Sequence, residues 1–293
     1  MNLIKIFRRF PDHESCIEHL EKVRFGDMPY CPHCGSVKVA RKADGERVGR
    51  WNCHDCKSSF NVLSKTIFQK TKVDLQKWFL AIGLLLNAKK SISANQLARD
   101  LDMTPQTAWY MAMRIRKAMA EEGAALLQGI IEADECYIGG KPRKANKRED
   151  DDPKGNKRGR GTSKMPVIGA VERGGNVMAR VADNLSGKGI LRFIKDAVEP
   201  EGSLLITDEY PAYNRAEEIM PHAVINHQIQ YAEGYRHTNT IEGFWGLLKR
   251  AWYGTHHKYS RKHAEAYIHE ACWKYNARNV DDAFSVFLRQ AVC

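Results

Sequence analysis

The sequence predicts an α/β domain preceded by a cysteine-rich module and a helical segment. Five short apolar runs between residues 129 and 227 alternate with stretches of helical periodicity, the pattern of a mixed sheet with packed helices. Two Cys-x-x-Cys pairs sit upstream among Gly, Asn and charged residues at 31–60. Between them and the apolar runs, 75–123 reads as helix, interrupted at 89–93 and 102–105. The expected divisions are 1–65 (lead-in and cysteine module), 66–125 (helical) and 126–293 (α/β), the last with a charged insertion at 141–164.

In the lead-in, Cys16, Ile17, Leu20 and Val23 recur at helical spacing and predict a short helix within 1–30. "CPHC" at 31–34 and "CHDC" at 53–56 give C-x2-C twice, with eighteen residues between. Cys31, Cys34, Cys53 and Cys56 can converge tetrahedrally on Zn²⁺. Gly35 suits the tight turn that closes the first knuckle. With four thiolates available, His33 and His54 are not needed as ligands, and a closed four-cysteine site predicts a structural metal. Cys16, Cys136, Cys272 and Cys293 have no partner at ligand spacing and read as ordinary thiols.

The segment "SANQLARDLDMTPQTAWYMAMRIRKAM" (93–119) predicts two helices around a turn at Asp102–Met103. Thr104 is expected to cap the second helix, with Pro105 at its first position. Ala108, Met111, Ile115 and Met119 would face inward. Gln106, Thr107, Tyr110, Arg114 and Lys117 would be more exposed, as on a recognition helix in a major groove; a plain helical hairpin is the alternative.

The expected strands are "GIIEADECYIG", "PVIGAVER", "NVMARVAD", "SLLITDE" and "HAVINH", with helices at about 187–198, 238–252 and 261–276. The stretch 141–164 is nearly all charge, Gly and Pro and predicts a mobile loop. A net charge of +11 and a pI near 9.2 point to a polyanionic partner. The first residues lack the apolar core of a signal peptide, and the most apolar run, "WFLAIGLLL", is too short for a bilayer. A cytoplasmic protein is expected, and eight cysteines there favour metal or free thiols over disulfides.

Three acids stand out. Asp134 falls near the middle of one apolar run, where an unpaired acid is expensive unless it meets a cation. Asp208 ends another run, at the strand edge where open α/β sheets gather ligands. Glu242 lies on a helix. Three oxygen donors suit hard cations such as Mg²⁺ or Mn²⁺, and two such ions support in-line phosphoryl displacement. Adjacent strand residues face opposite ways, so only one of Asp134 and Glu135 can point into such a site. Trp245 reads as a core aromatic, with stacking on an unpaired base as the alternative.

These motifs together resemble the DDE transposases of bacterial insertion sequences, in the group with an N-terminal zinc ribbon. The resemblance runs through "CPHC…CHDC", "DECYIGGK", "TDEYPAY", "HTNTIEGFWGLLKR" and "YNAR", nearly the whole chain. It implies a ribonuclease H-like core with Asp134, Asp208 and Glu242 as catalytic metal ligands, separated by 74 and then 34 residues. It also implies a cation seven residues past the glutamate, where Lys249 stands beside Arg250. The expected partners are double-stranded DNA, as element ends and target, and further copies of the chain. Two other readings are a zinc-ribbon DNA-binding regulator on an inert scaffold and a nuclease of the same fold. Asn239 is read as the cap of the Glu242 helix.

Overall fold

A computed structural model describes residues 2–42, 49–120, 125–139, 164–225 and 237–292. The insertion expected at 141–164 therefore lies, except for Lys164, outside the described residues. The chain forms two compact units, residues 1–120 with 277–293 and residues 121–276.

The first unit contains helices α1 (Leu3–Arg9) and α2 (His13–Phe25) and strands β1 (Val39–Arg41), β2 (Arg50–Cys53) and β3 (Ser59–Asn61). Helices α3 (Leu75–Asn87), α4 (Ala94–Asp100) and α5 (Pro105–Ala118) follow. Asn2 caps α1 and Asp12 caps α2, the latter in a reciprocal box with Ser15, so the lead-in is two helices rather than one. Of the apolar residues expected to face inward there, Cys16, Ile17 and Leu20 are buried. The three strands pair antiparallel in the order β1-β2-β3. Helix α2 is tied to the segment just after β3 by Arg24, which donates to the carbonyls of Val62 and Ser64 at 2.7 Å each.

Residues 277–293 were expected within the α/β region, but their helix, Ala283–Val292, packs in the first unit. The reason is aromatic: Phe284 lies 5.7 Å from Phe79 of α3, and Phe79 lies 4.8 Å edge-on from Phe10.

The second unit is built on five strands, β4 (Ile130–Ile138), β5 (Met165–Glu172), β6 (Val177–Val181), β7 (Leu204–Asp208) and β8 (His222–Ile225). Their order is β6-β5-β4-β7-β8. The first three pair antiparallel, while β4, β7 and β8 run parallel. Helices α6 (Gly187–Ala197), α7 (Asn239–Arg250) and α8 (Arg261–Asn276) match the three expected, and a 3-10 segment, Pro211–Glu218, follows β7.

Strand alternation splits the core into two layers. Ile131 and Ala133 of β4, with Ile168 and Ala170 of β5, pack on Ile190, Phe193 and Ile194 of α6. On the other face Cys136, Val167 and Val171 meet Ile241, Phe244, Trp245 and Leu248 of α7 and Ile268 of α8. The sheet is thus covered on both sides, which explains why its strands read as continuous apolar runs. No helix among the described residues is long and apolar enough to cross a membrane.

Candidate active site and metal centre

The two cysteine pairs meet as knuckles. The amide of Gly35 donates to the Cys31 carbonyl at 2.8 Å, with Gly35 at a φ of +77°, a conformation glycine adopts without strain. The amides of Cys31 and Cys53 donate to the carbonyls of Ser36 and Ser58 at 2.8 and 3.0 Å, closing both turns alike. The four sulfurs all lie within 4.8 Å of one another. Cys31 and Cys56 are 3.7 Å apart, and Cys34 and Cys53 are 3.6 Å apart. Tetrahedral Zn–S bonds of about 2.3 Å require sulfurs about 3.8 Å apart, so the donor set and spacing fit zinc.

In the second unit, alternation along β4 sends Glu132, Asp134 and Cys136 toward α7 and Glu135 to the opposite face. There the Tyr213 hydroxyl donates to Glu135 at 3.2 Å. Asp134 faces Gly169 across the β4–β5 ladder. A Cβ at position 169 would come within 2.6 Å of the Trp245 ring, so the glycine leaves the space that this indole fills. Trp245 is buried there and its Nε1 donates to Asp134 Oδ2 at 3.0 Å, which makes it a core aromatic. Burial pushes the Asp134 carboxyl up to about 7, with the charges of Glu135 and Asp208 adding to the effect.

Asp208 is the last residue of β7, and the amide of Tyr210 donates to its Oδ1 at 3.1 Å as the chain turns into the 3-10 segment. The parallel register pairs Glu132 with Ile206. Continuing that register by two residues brings Asp134 and Asp208 to neighbouring positions, by alternation on the same face, and the Asp208 charge acts on Asp134. Glu242 is exposed in the first turn of α7, which packs over that face, and its Oε1 accepts from the Thr238 hydroxyl at 3.2 Å. The three carboxylates share one side of the sheet, but their oxygens are not all within 4.8 Å; among the described residues only the cysteines form such a group.

Glu132, absent from the sequence-based site, ties these elements together. Its carboxylate is fully buried and accepts from the amides of Thr240 and Ile241 at 2.8 and 3.1 Å, and from the Thr240 hydroxyl at 2.9 Å. Arg173 completes the cluster, its Nε 2.6 Å from Glu132 and its Nη2 donating to the His237 carbonyl at 2.7 Å. A carboxylate from β4 thus sits at the positive end of α7 and satisfies its first free amides. The expectation that Asn239 caps this helix is corrected here. Thr238 occupies the cap position without a side-chain cap bond, and Asn239 is already the first helical residue. The tertiary carboxylate replaces the local cap.

In the first unit, Thr104 accepts from the Thr107 amide at 3.3 Å and Pro105 opens α5, as expected. Gln106 and Lys117 are exposed, while Thr107 is half-buried with its hydroxyl 2.9 Å from that of Thr104. Arg114, expected on the exposed side, is half-buried. It donates to the carbonyls of Gln69 and Thr66 at 3.0 and 3.2 Å and lies over the rings of Tyr110 and Trp78. Those carbonyls belong to the segment before α3, which sequence periodicity alone could not place beside α5. Arg116 is fully buried, donating to Ser91 and to the Ile92 carbonyl. Lys249 and Arg250 are exposed at the C-terminal end of α7.

The zinc-ligand set and the mixed sheet match two family descriptions in chain order. Residues 11–59 match the transposase zinc-ribbon domain, and residues 126–276 match the ISXO2-like transposase domain. The second match spans more than half of the chain, which therefore belongs to the ISXO2-like transposases. An uncharacterized protein in transposable element ISH50 of Halobacterium salinarum is 27% identical over 271 residues, covering 89% of this chain and 90% of the relative. Among solved structures, the Mos1 strand transfer complex is 13% identical, covering 73% of this chain and 74% of that one at a TM-score of 0.29. A pre-cleavage Mos1 transpososome is 11% identical, covering 72% and 74%, at 0.26. Likeness at that level is no guide to this chain's fold.

Proposed function

We propose that this transposase binds the ends of its insertion sequence, cleaves phosphodiester bonds there and joins the freed 3′-hydroxyl to target DNA. The observation that carries the reading is the placement of Asp134 and Asp208 side by side on parallel neighbours, under the helix that bears Glu242. A buried carboxyl raised to about 7 by its surroundings beside a second carboxylate is what a hard cation would relieve. Asp134, Asp208 and Glu242 would hold Mg²⁺ or Mn²⁺, which activates the attacking oxygen and stabilises the leaving one when bound. Trp245 orients the Asp134 carboxylate by fixing one of its oxygens. Glu132 and Arg173 fix the start of α7 and with it the height of Glu242 over the sheet. Lys249 and Arg250, exposed at the far end of α7, would contact the phosphates flanking that site.

A sheet of three antiparallel and two parallel strands, covered on both faces, supports a ribonuclease H-like core. The zinc ribbon, with Zn²⁺ as a structural ion, and the α4–turn–α5 pair would hold duplex DNA. There Gln106, Thr107 and Lys117 are the candidate contacts, while Arg114 would act by bracing α5. Acting on two ends at once implies an oligomer on DNA. The test pairs cleavage of intact element ends with strand transfer from pre-cleaved ends into a plasmid, both with Mg²⁺. The wild type should join ends, and Asp208→Ala should bind them without cleaving or joining. Cleavage retained in Asp208→Ala overturns the assignment of the acids. Hydrolysis without joining leaves a nuclease, and specific binding with no metal-dependent nicking leaves a regulator.

A further inference from the structure

Past the acids, β4 and α7 converge on a cavity of about 230 Å³ whose walls include Tyr137, Lys164, Lys249, Trp252 and Tyr253. We propose that this cavity is a nucleotide pocket: it takes one unpaired base of the DNA end against Trp252 and Tyr253, with Lys249 and Lys164 on the flanking phosphates. The proposal rests on the transposase reading above and deepens it.

Position comes first. Tyr137 is three residues beyond Asp134 on a strand, about 10 Å at 3.3 Å per residue, and Ile138, which also lines the cavity and shares Asp134's face, is one residue further. Lys249 is seven residues beyond Glu242 on a helix, again about 10 Å at 1.5 Å per residue. Two independent elements therefore place the cavity a similar distance, about 10–13 Å, from the acids. That distance is about three steps of a duplex strand and fewer of an extended one. Whatever occupies the cavity while a phosphate lies at the acids is within three nucleotides of it.

Size and lining select the occupant. About 230 Å³ is the space of seven or eight waters at roughly 30 Å³ each, enough for one base and far too small for a duplex. The wall combines two lysines with aromatic rings, the pairing that holds single-stranded nucleic acid by charge and stacking. Tyr253 is 58% exposed, so its ring is open to a stacking partner. The chain also departs from regular helix there: Ala251–His256 continues α7 as a π-helical turn, a form that recurs at functional sites. That turn carries Trp252, which is buried, and Tyr253, whose ring meets the indole edge-on at 4.8 Å. The stacking surface lies here, chiefly on the exposed Tyr253 ring: Trp252 lines the cavity with the part of its indole that the core leaves open, whereas Trp245 does not reach it.

A second cavity, about 390 Å³, shares Tyr137 and Lys164 and reaches Tyr210, two residues past Asp208.

The experiment uses the full-length, zinc-loaded protein and pre-cleaved end duplexes. Each duplex carries 5-iododeoxyuridine at one of the last four nucleotides of either strand. After irradiation, adducts are mapped by tryptic peptide, and joining is measured on the same samples. At one position the adduct should fall on peptide 251–258, and Tyr253→Ala should cut its yield at least fivefold while adducts elsewhere persist. Adducts that never map to 251–258, or a yield that Tyr253→Ala leaves unchanged, overturn the pocket. If the wild type still joins ends in that case, the transposase reading stands alone; if it does not join them, both fail.

Discussion

Replacing Glu132 by Gln removes a charge from the interior while almost preserving shape. The carboxylate has no exposure, and an arginine side chain 18% exposed depends on it. Arg173 Nε at 2.6 Å, two α7 amides at 2.8 and 3.1 Å and the Thr240 hydroxyl at 2.9 Å donate to its two oxygens, and His237 Nδ1 lies 3.2 Å from one of them. A glutamine offers one acceptor oxygen and one amide, so an amide must face either Arg173 or the helix end, donor against donor. Breaking a buried ion pair by removing one partner costs about 3–5 kcal/mol, and the lost helix-end charge about 0.5–1 kcal/mol. Residual hydration of Arg173 lowers the first figure, which leaves about 3 kcal/mol. Because two units need not unfold together, the measurement is native-state hydrogen exchange over peptides from 237–250. Exchange should accelerate about a hundredfold at about 1.4 kcal/mol per decade. In an Arg173→Met background the same substitution should cost at least about 1 kcal/mol less, since the pair is already broken. Less than fivefold acceleration, or strict additivity with Arg173→Met, refutes the view that this carboxylate holds α7 to β4.

Other outcomes follow from the same geometry. The raised Asp134 carboxyl means that the folded state keeps a proton the unfolded state has lost, so stability drains away as pH climbs from about 4 to 7. Asp134→Asn, which can still accept from Trp245, should therefore gain on the wild type by about 2–3 kcal/mol between pH 5 and pH 8 in Mg²⁺-free buffer; parallel denaturation curves would contradict the shift. Purified protein should carry one Zn²⁺ per chain by elemental analysis. Cys53→Ser, at a buried ligand position, should lose the ion and the exchange protection of residues 31–59. Gly169→Ala would drive a methyl to within 2.6 Å of the Trp245 ring, and the overpacking should cost about 1–3 kcal/mol in thermal unfolding.

Local periodicity and ligand spacing encode a large part of this architecture. The two knuckles, the Thr104–Pro105 helix start, five strands and three helices of the second unit all appear where apolar rhythm and turn residues put them. Buried parallel strands must be continuously apolar, so Asp134 and Asp208 stood out against their runs. Tertiary structure alone decided the rest. The alternation that separates Asp134 from Glu135 also puts Glu132 on the Asp134 side, a signal present in "IIEADE", but its partners at 173 and 240–241 are far away in sequence. Arg114 reads as exposed on its own helix because the carbonyls that capture it belong to another segment. The C-terminal helix joins the first unit through Phe284, and apolar residues at helical spacing do not say which core they will enter. Asn239 has the chemistry of a helix cap, yet a buried carboxylate on a neighbouring strand takes that place, because a full charge held away from water bonds the helix end more strongly than an exposed amide does.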